Sequence, residues 1–391
     1  MSVKCNRRWE RNRFCVQRGQ IGWAFSAICL LAIGCFGEKS STTISAPKPT
    51  PAQTVLEPYQ GILVRAQIVN ETSLRDWQKR RLTVVLALLD EDTGDSATIR
   101  AAAEKIKLSG QEPEYWIEIA RCEKLATEHP EWMCSLQGHD EWRRLSPDSP
   151  APEKDSIVKT YPWVPILYEE SFVAHRDRVA ELLRDLPAAK RIWLNDLQSG
   201  PSACGCGHPL CRWAADYGPL KTATESGDDA AARFVGSIRE LAPQAEVIPI
   251  WTTECEEADK HGACGGVGCF DGICWRAYAK QLRNVDQVAP RIGVQCYYKA
   301  FDRDLARYGE PAGWIKFALQ TFQDMPPKRD GVAIPANRLV AVLQGWNVTA
   351  ADEKSQIAQA QQAGANGYLV ATFPIEQSWK PQTWKLSELK R

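Results

Sequence analysis

Eight short runs of apolar and β-branched residues, each followed by a stretch with helical periodicity, constrain this chain more than any other feature. The runs are Gly61–Val69, Leu82–Leu89, Tyr115–Ala120, Arg191–Leu197, Glu246–Thr253, Ile292–Tyr297, Leu339–Gln344 and Tyr368–Thr372. The helical stretches between them are Leu74–Arg80, Ser96–Leu108, Ser171–Leu186, Asp228–Leu241, Ile273–Val288, Ala312–Phe322 and Asp352–Ala363. Strands alternating with helices of this length predict parallel βα units. An open doubly wound sheet would need a glycine-rich phosphate loop after the first strand, and Val69-Asn70-Glu71-Thr72 stands there instead. The expectation is an α/β protein, a (β/α)8 TIM barrel with long, cysteine-rich loops after strands 3, 4 and 5.

The barrel is expected over 56–391, preceded by two segments of different character. Lys4, Arg7, Arg8, Arg11, Arg13 and Arg18 precede an apolar run from Ile21 to Gly34 that is short for a bilayer span. This pattern reads as a secretion signal over 1–35. Its end, Leu31-Ala32-Ile33-Gly34-Cys35, resembles a bacterial lipobox with Ala32 where leucine is usual. The resemblance implies cleavage before Cys35 and lipid attachment there, hence an exported protein of the cell envelope, periplasmic or at the surface. An ordinary cleaved signal and an uncleaved anchor remain open. Residues 36–55, rich in Ser, Thr and Pro, form an extended tether. Lys+Arg and Asp+Glu balance at 48 each, without the basic surface that nucleic-acid binding requires.

Ten cysteines follow residue 35: Cys122, Cys134, Cys204, Cys206, Cys211, Cys255, Cys264, Cys269, Cys274 and Cys296. An even number in an exported domain favours disulfides. No CxxC pair occurs, which argues against a zinc ribbon, so neither metal nor cofactor is expected. Close thiolates such as Cys204 and Cys206, with His208 nearby, keep a metal or redox site open as an alternative.

Carboxylates at the ends of the predicted strands are the candidate chemistry. Side chains alternate along a strand, and branched residues favour barrel interiors, which predicts Ile192 and Leu194 inward and Asp196 at the mouth. The same alternation on the fifth strand puts Ile248, Ile250, Thr252 and Glu254 on one face. Two carboxylates at adjacent strand ends suit glycoside hydrolysis, where one group is ionised and the other holds a proton. Asp90, Glu118, Arg121, Asn195 and Lys299 are further candidates to contact a substrate. Trp251, Trp346 and Trp379, at or beyond strand ends, offer flat faces on which a sugar ring can stack.

This layout resembles the barrel glycoside hydrolases, the α-amylase-like and α-galactosidase-like groups among them. That resemblance implies Asp196 as nucleophile or base and Glu254 as proton donor. The amylase-like pattern has Arg where Leu194 stands, and an acid where Gly345-Trp346-Asn347 follows the seventh strand. The loop His129-Pro130-Glu131-Trp132 is also similar to one in glycoside-hydrolase-like bacterial proteins. A carbohydrate is the expected substrate or ligand. A noncatalytic surface protein that binds glycan or peptide at the same mouth is the alternative.

Overall fold

The computed structural model describes residues 56–89, 96–133, 156–159, 162–166, 169–197, 224–252, 269–270, 273–274, 284–297, 312–324, 332–374, 380, 382–385 and 387. Eight parallel strands close into a barrel: β1 (Tyr59–Val64), β2 (Thr83–Leu88), β3 (Glu114–Glu118), β4 (Arg191–Asn195), β5 (Glu246–Thr252), β6 (Ile292–Gln295), β7 (Leu339–Gln344) and β8 (Gly367–Ala371). They follow one another around the wall in chain order, and β8 pairs with β1 to seal it. The helices are α1 (Glu71–Lys79), α2 (Ser96–Leu108), α3 (Glu123–Glu128), α4 (Glu169–Arg184), α5 (Thr224–Leu241), α6 (Gly313–Gln323) and α7 (Ala350–Gln362). This is the expected (β/α)8 barrel.

Two of the expected boundaries shift for local reasons. The first strand stops at Val64, because Ala66–Ile68 turn as a 3-10 helix and Asn70 then caps α1. Asn70 Oδ1 accepts from the amides of Thr72 and Ser73 at 3.0 Å, while its own amide donates to Ser73 Oγ at 2.9 Å. The helix expected over Ile273–Val288 does not begin as one. Ile273–Cys274 pair antiparallel with Cys269–Phe270 as two short strands. A second two-stranded sheet joins Ser156–Lys159 to Gln382–Lys385. No helix among the described residues is long and apolar enough to cross a membrane.

Both faces of the wall are buried, which makes the strands apolar on both sides. Outside, Val84, Leu86, Tyr115, Ile117, Ile192, Leu194 and Val247 pack under the helices. Inside, Tyr59, Leu63, Val85, Trp116, Trp193, Ile248, Ile250, Val340 and Leu369 fill the lumen. The expected orientation of the fourth strand is therefore reversed: Ile192 and Leu194 face the helices and Trp193 faces inward. Small inward residues make room for these rings. A Cβ on Gly61 would lie 2.5 Å from Tyr59 Oη, and one on Gly293 would lie 2.7 Å from Ile250 Cγ1.

Charges at the strand starts close the floor of the barrel and fix that orientation. Glu114, Arg191 and Glu246 stand side by side in register on β3, β4 and β5. Arg191 bridges its two neighbours, with Nη1 on Glu114 at 2.6 Å and Nε on Glu246 at 2.9 Å. Tyr59 Oη and Trp193 Nε1 also donate to Glu114, at 2.9 and 3.0 Å. Burial pushes the Glu114 carboxyl up, offset in part by the Arg191 charge and these donors. Arg291 completes the chain by bonding both oxygens of Glu246 at 2.7 Å. With Arg191 committed to this network, alternation carries Trp193 and Asn195 inward behind it.

Candidate functional site at the barrel mouth

At the opposite, C-terminal end of the strands, β3 and β4 deliver two polar side chains from neighbouring positions. Glu118 and Asn195 are register partners, 3% and 2% exposed. Asn195 Nδ2 donates to Glu118 Oε2 at 2.9 Å, and Trp116 Nε1 donates to Glu118 Oε1 at 2.6 Å. A buried carboxylate thus has each oxygen fixed by a neutral donor. Asn195 Oδ1 is buried and has no hydrogen-bond partner among the described residues. Buried acceptors are nearly always satisfied, so this one is available to a group that donates from the mouth.

Asp196 follows directly, 5% exposed, with φ at 60°. A left-handed backbone is uncommon outside glycine, although Asp tolerates it better than most residues. Its carbonyl accepts from Ala120 N at 3.1 Å, so the β3–β4 ladder holds this turn one step past the strand. The inward position at the end of β4 belongs to Asn195, and the chain changes direction at Asp196. Asn347, beyond β7, has φ at 52° and makes a comparable break on the other side of the mouth.

The remaining expected contacts divide sharply. Trp346 lies against the lumen, its ring meeting that of Tyr297 edge-on at 4.7 Å, and its carbonyl accepts from Gln344 Nε2 at 3.2 Å. Trp251 is different. It is fully buried on the outer face of β5 among core residues under the helices, so it cannot stack on a sugar at the mouth. Alternation decides this, since Ile248 and Ile250 occupy the inward positions. Arg121 is buried three residues past Glu118, where its backbone bridges to Trp163. Asp90, Glu254, Lys299 and Trp379 lie outside the described residues, as do Cys35, Cys134, Cys204, Cys206, Cys211, Cys255 and Cys264.

Among the disulfide candidates, Cys269 and Cys274 are register partners in their two-stranded sheet. Cys122 is buried at the start of α3 beside Leu125, Met133 and Val164. Cys296 departs from the expectation of a disulfide: it is a free thiol on the outer side of the wall, with Sγ 3.3 Å from the Val294 carbonyl. Burial pushes that thiol well up, away from the reactive thiolate. No three His, Cys, Asp or Glu side chains gather as a metal site among the described residues.

Several residues that matter here gave no motif. Glu114, Arg191 and Glu246 did carry a signal, a charge of alternating sign opening three successive apolar runs. Arg178 and His175, buried on α4, had only the weak one of charge on a helix face that should be apolar.

No protein-family model matches this chain, and no curated protein matches it. Among solved structures, it is similar to a beta-galactosidase from the psychrophilic Marinomonas ef1, with 11% identity and a TM-score of 0.44. That likeness covers 85% of this chain and 58% of the beta-galactosidase, so the chain spans less than two thirds of that relative. An endo-1,4-beta-D-mannanase from Thermotoga petrophila RKU-1 has 9% identity over 82% of this chain and 90% of its own, at a TM-score of 0.44. A chitinase-like agglutinin from Robinia pseudoacacia has 10% identity over 84% and 97%, at 0.42. None of these likenesses transfers a residue role or a substrate.

Proposed function

We propose that this protein acts on a glycan at the mouth of the barrel, as a glycoside hydrolase working through paired carboxylates. Asp196 serves as nucleophile or base and Glu254 as proton donor, with Glu118 and Asn195 holding sugar hydroxyls. The observation that supports this reading is the buried pair Glu118–Asn195 at the strand ends next to Asp196, whose Asn195 Oδ1 has no hydrogen-bond partner among the described residues. A vicinal diol fits that pair, because one hydroxyl can donate to Asn195 Oδ1 and its neighbour to a remaining lone pair of Glu118. Trp346 at the lumen edge suits an apolar sugar face. The same reading makes the protein an exported one, held at the cell envelope by lipid on Cys35.

The test is release of reducing ends from a broad polysaccharide panel by the wild-type protein and by Asp196→Asn, Glu254→Gln and Glu118→Gln. Turnover is expected on at least one glycan, with each variant slowed by about 100-fold or more. Unchanged turnover in all three variants overturns the assignment. Binding measured by calorimetry without any turnover identifies a noncatalytic glycan-binding protein instead.

A further inference from the structure

Three side chains of α4 form a single buried stripe that grips the rim next to Glu118. Ser171, Ser171+4 and Ser171+7, that is Ser171, His175 and Arg178, lie on one helix face. Ser171 Oγ donates to the Pro165 carbonyl at 2.7 Å, and His175 Nε2 donates to that of Val164 at 2.8 Å. Arg178 Nη2 donates to the carbonyl of Glu118 itself and reaches that of Ile119 at 3.3 Å.

The gripped segment in turn lines the continuation of β3. Val164 N donates to the Ala120 carbonyl at 2.7 Å, Cys122 N donates to that of Pro162 at 3.0 Å, and Arg121 bridges Trp163 between them. The end of β3 is therefore fixed from two sides, by Arg178 directly and by 162–166 through Ser171 and His175. Glu118 is held at its carboxylate by Trp116 and Asn195 and at its backbone by Arg178.

We infer that Arg178 is a positioning residue, which sets where the Glu118 carboxylate stands in the mouth by clamping the backbone that carries it. One terminal nitrogen of the buried guanidinium, Nη2, reaches both carbonyls from a planar group of fixed geometry, where lysine would supply a compact point charge on a flexible stem. The role at the site rests on the proposed reading of Glu118, while the geometry it controls can be read without any substrate.

The measurement is the Trp116 indole N–H resonance in 15N-labelled protein, assigned by its loss in Trp116→Phe, since that N–H bonds Glu118 Oε1. Arg178→Gln is expected to shift this resonance, and Arg178→Lys to shift it in the same direction by less. If Arg178→Gln does not fold, Arg178→Lys alone carries the test. An unmoved indole resonance in a folded Arg178 variant overturns the positioning role, whatever the glycan panel yields. Where turnover is found, kcat should fall about 10- to 100-fold with KM little changed. A rise in KM alone would also overturn it.

Discussion

Asn195 Nδ2 reaches across from β4 to Glu118 Oε2 on β3 at 2.9 Å, and this bond joins two strand ends into one polar unit inside the barrel mouth. Asn195→Ala removes a buried donor from a carboxylate and leaves a cavity. It is expected to destabilise the protein by about 1–3 kcal/mol, read as a lower urea midpoint at unchanged slope. A midpoint equal to wild type would mean that Glu118 is solvated without Asn195.

The two tryptophans at the ends of β5 and β7 should separate by experiment. Trp251→Phe removes an indole N–H that has no partner among the described residues, so glycan affinity should be unchanged. Trp346→Ala should weaken glycan binding by about 1 kcal/mol or more, the scale of an aromatic contact. Calorimetry on both variants checks this, and a loss confined to Trp251→Phe would contradict the outward orientation of that ring.

Acid should destabilise the fold through His175. Burial, with the neighbouring Arg178 charge, lowers its pKa from 6.5 to about 3. The folded protein therefore holds the ring neutral, while the unfolded chain takes up a proton near pH 6.5. The stability this contributes is fully present above that pH and is lost as pH falls toward 3, on the order of 5 kcal/mol in all. His175→Gln should flatten that part of the urea-midpoint profile between pH 6.5 and 3.

The floor should be less tolerant than its distance from the mouth suggests. Glu114→Gln leaves the partly buried Arg191 without its 2.6 Å charge partner on the fully buried Glu114 and is expected to cost about 1–3 kcal/mol. Thermal melts compared with an exposed control, Glu112→Gln, check whether the loss belongs to the network. Equal melting of the two variants would show that Arg191 is served by Glu246 alone.

Inside the lumen, Gly293→Ala is expected to destabilise by about 1–3 kcal/mol through overpacking, because the new Cβ would lie 2.7 Å from Ile250 Cγ1. A paired Ile250→Ala substitution, which removes Cγ1, should cost less than the sum of the two single variants in the same denaturation assay.

The sequence by itself determined the architecture. Eight apolar runs separated by helical stretches pointed to a closed parallel barrel that buries both faces of every strand. It also directed attention to the mouth, since Glu118, Asn195 and Asp196 stand at strand ends. What it left open was which side of each strand faces inward. When both faces are buried, hydrophobicity does not distinguish them, and a preference for branched residues inside turned β4 the wrong way. Tertiary structure decided the matter through charge. Arg191 must lie between Glu114 and Glu246, so Trp193 and Asn195 face the lumen, Trp251 is excluded from it, and Asn195 reaches Glu118. Those contacts join residues more than fifty positions apart, and only the closed barrel brings them within hydrogen-bonding distance.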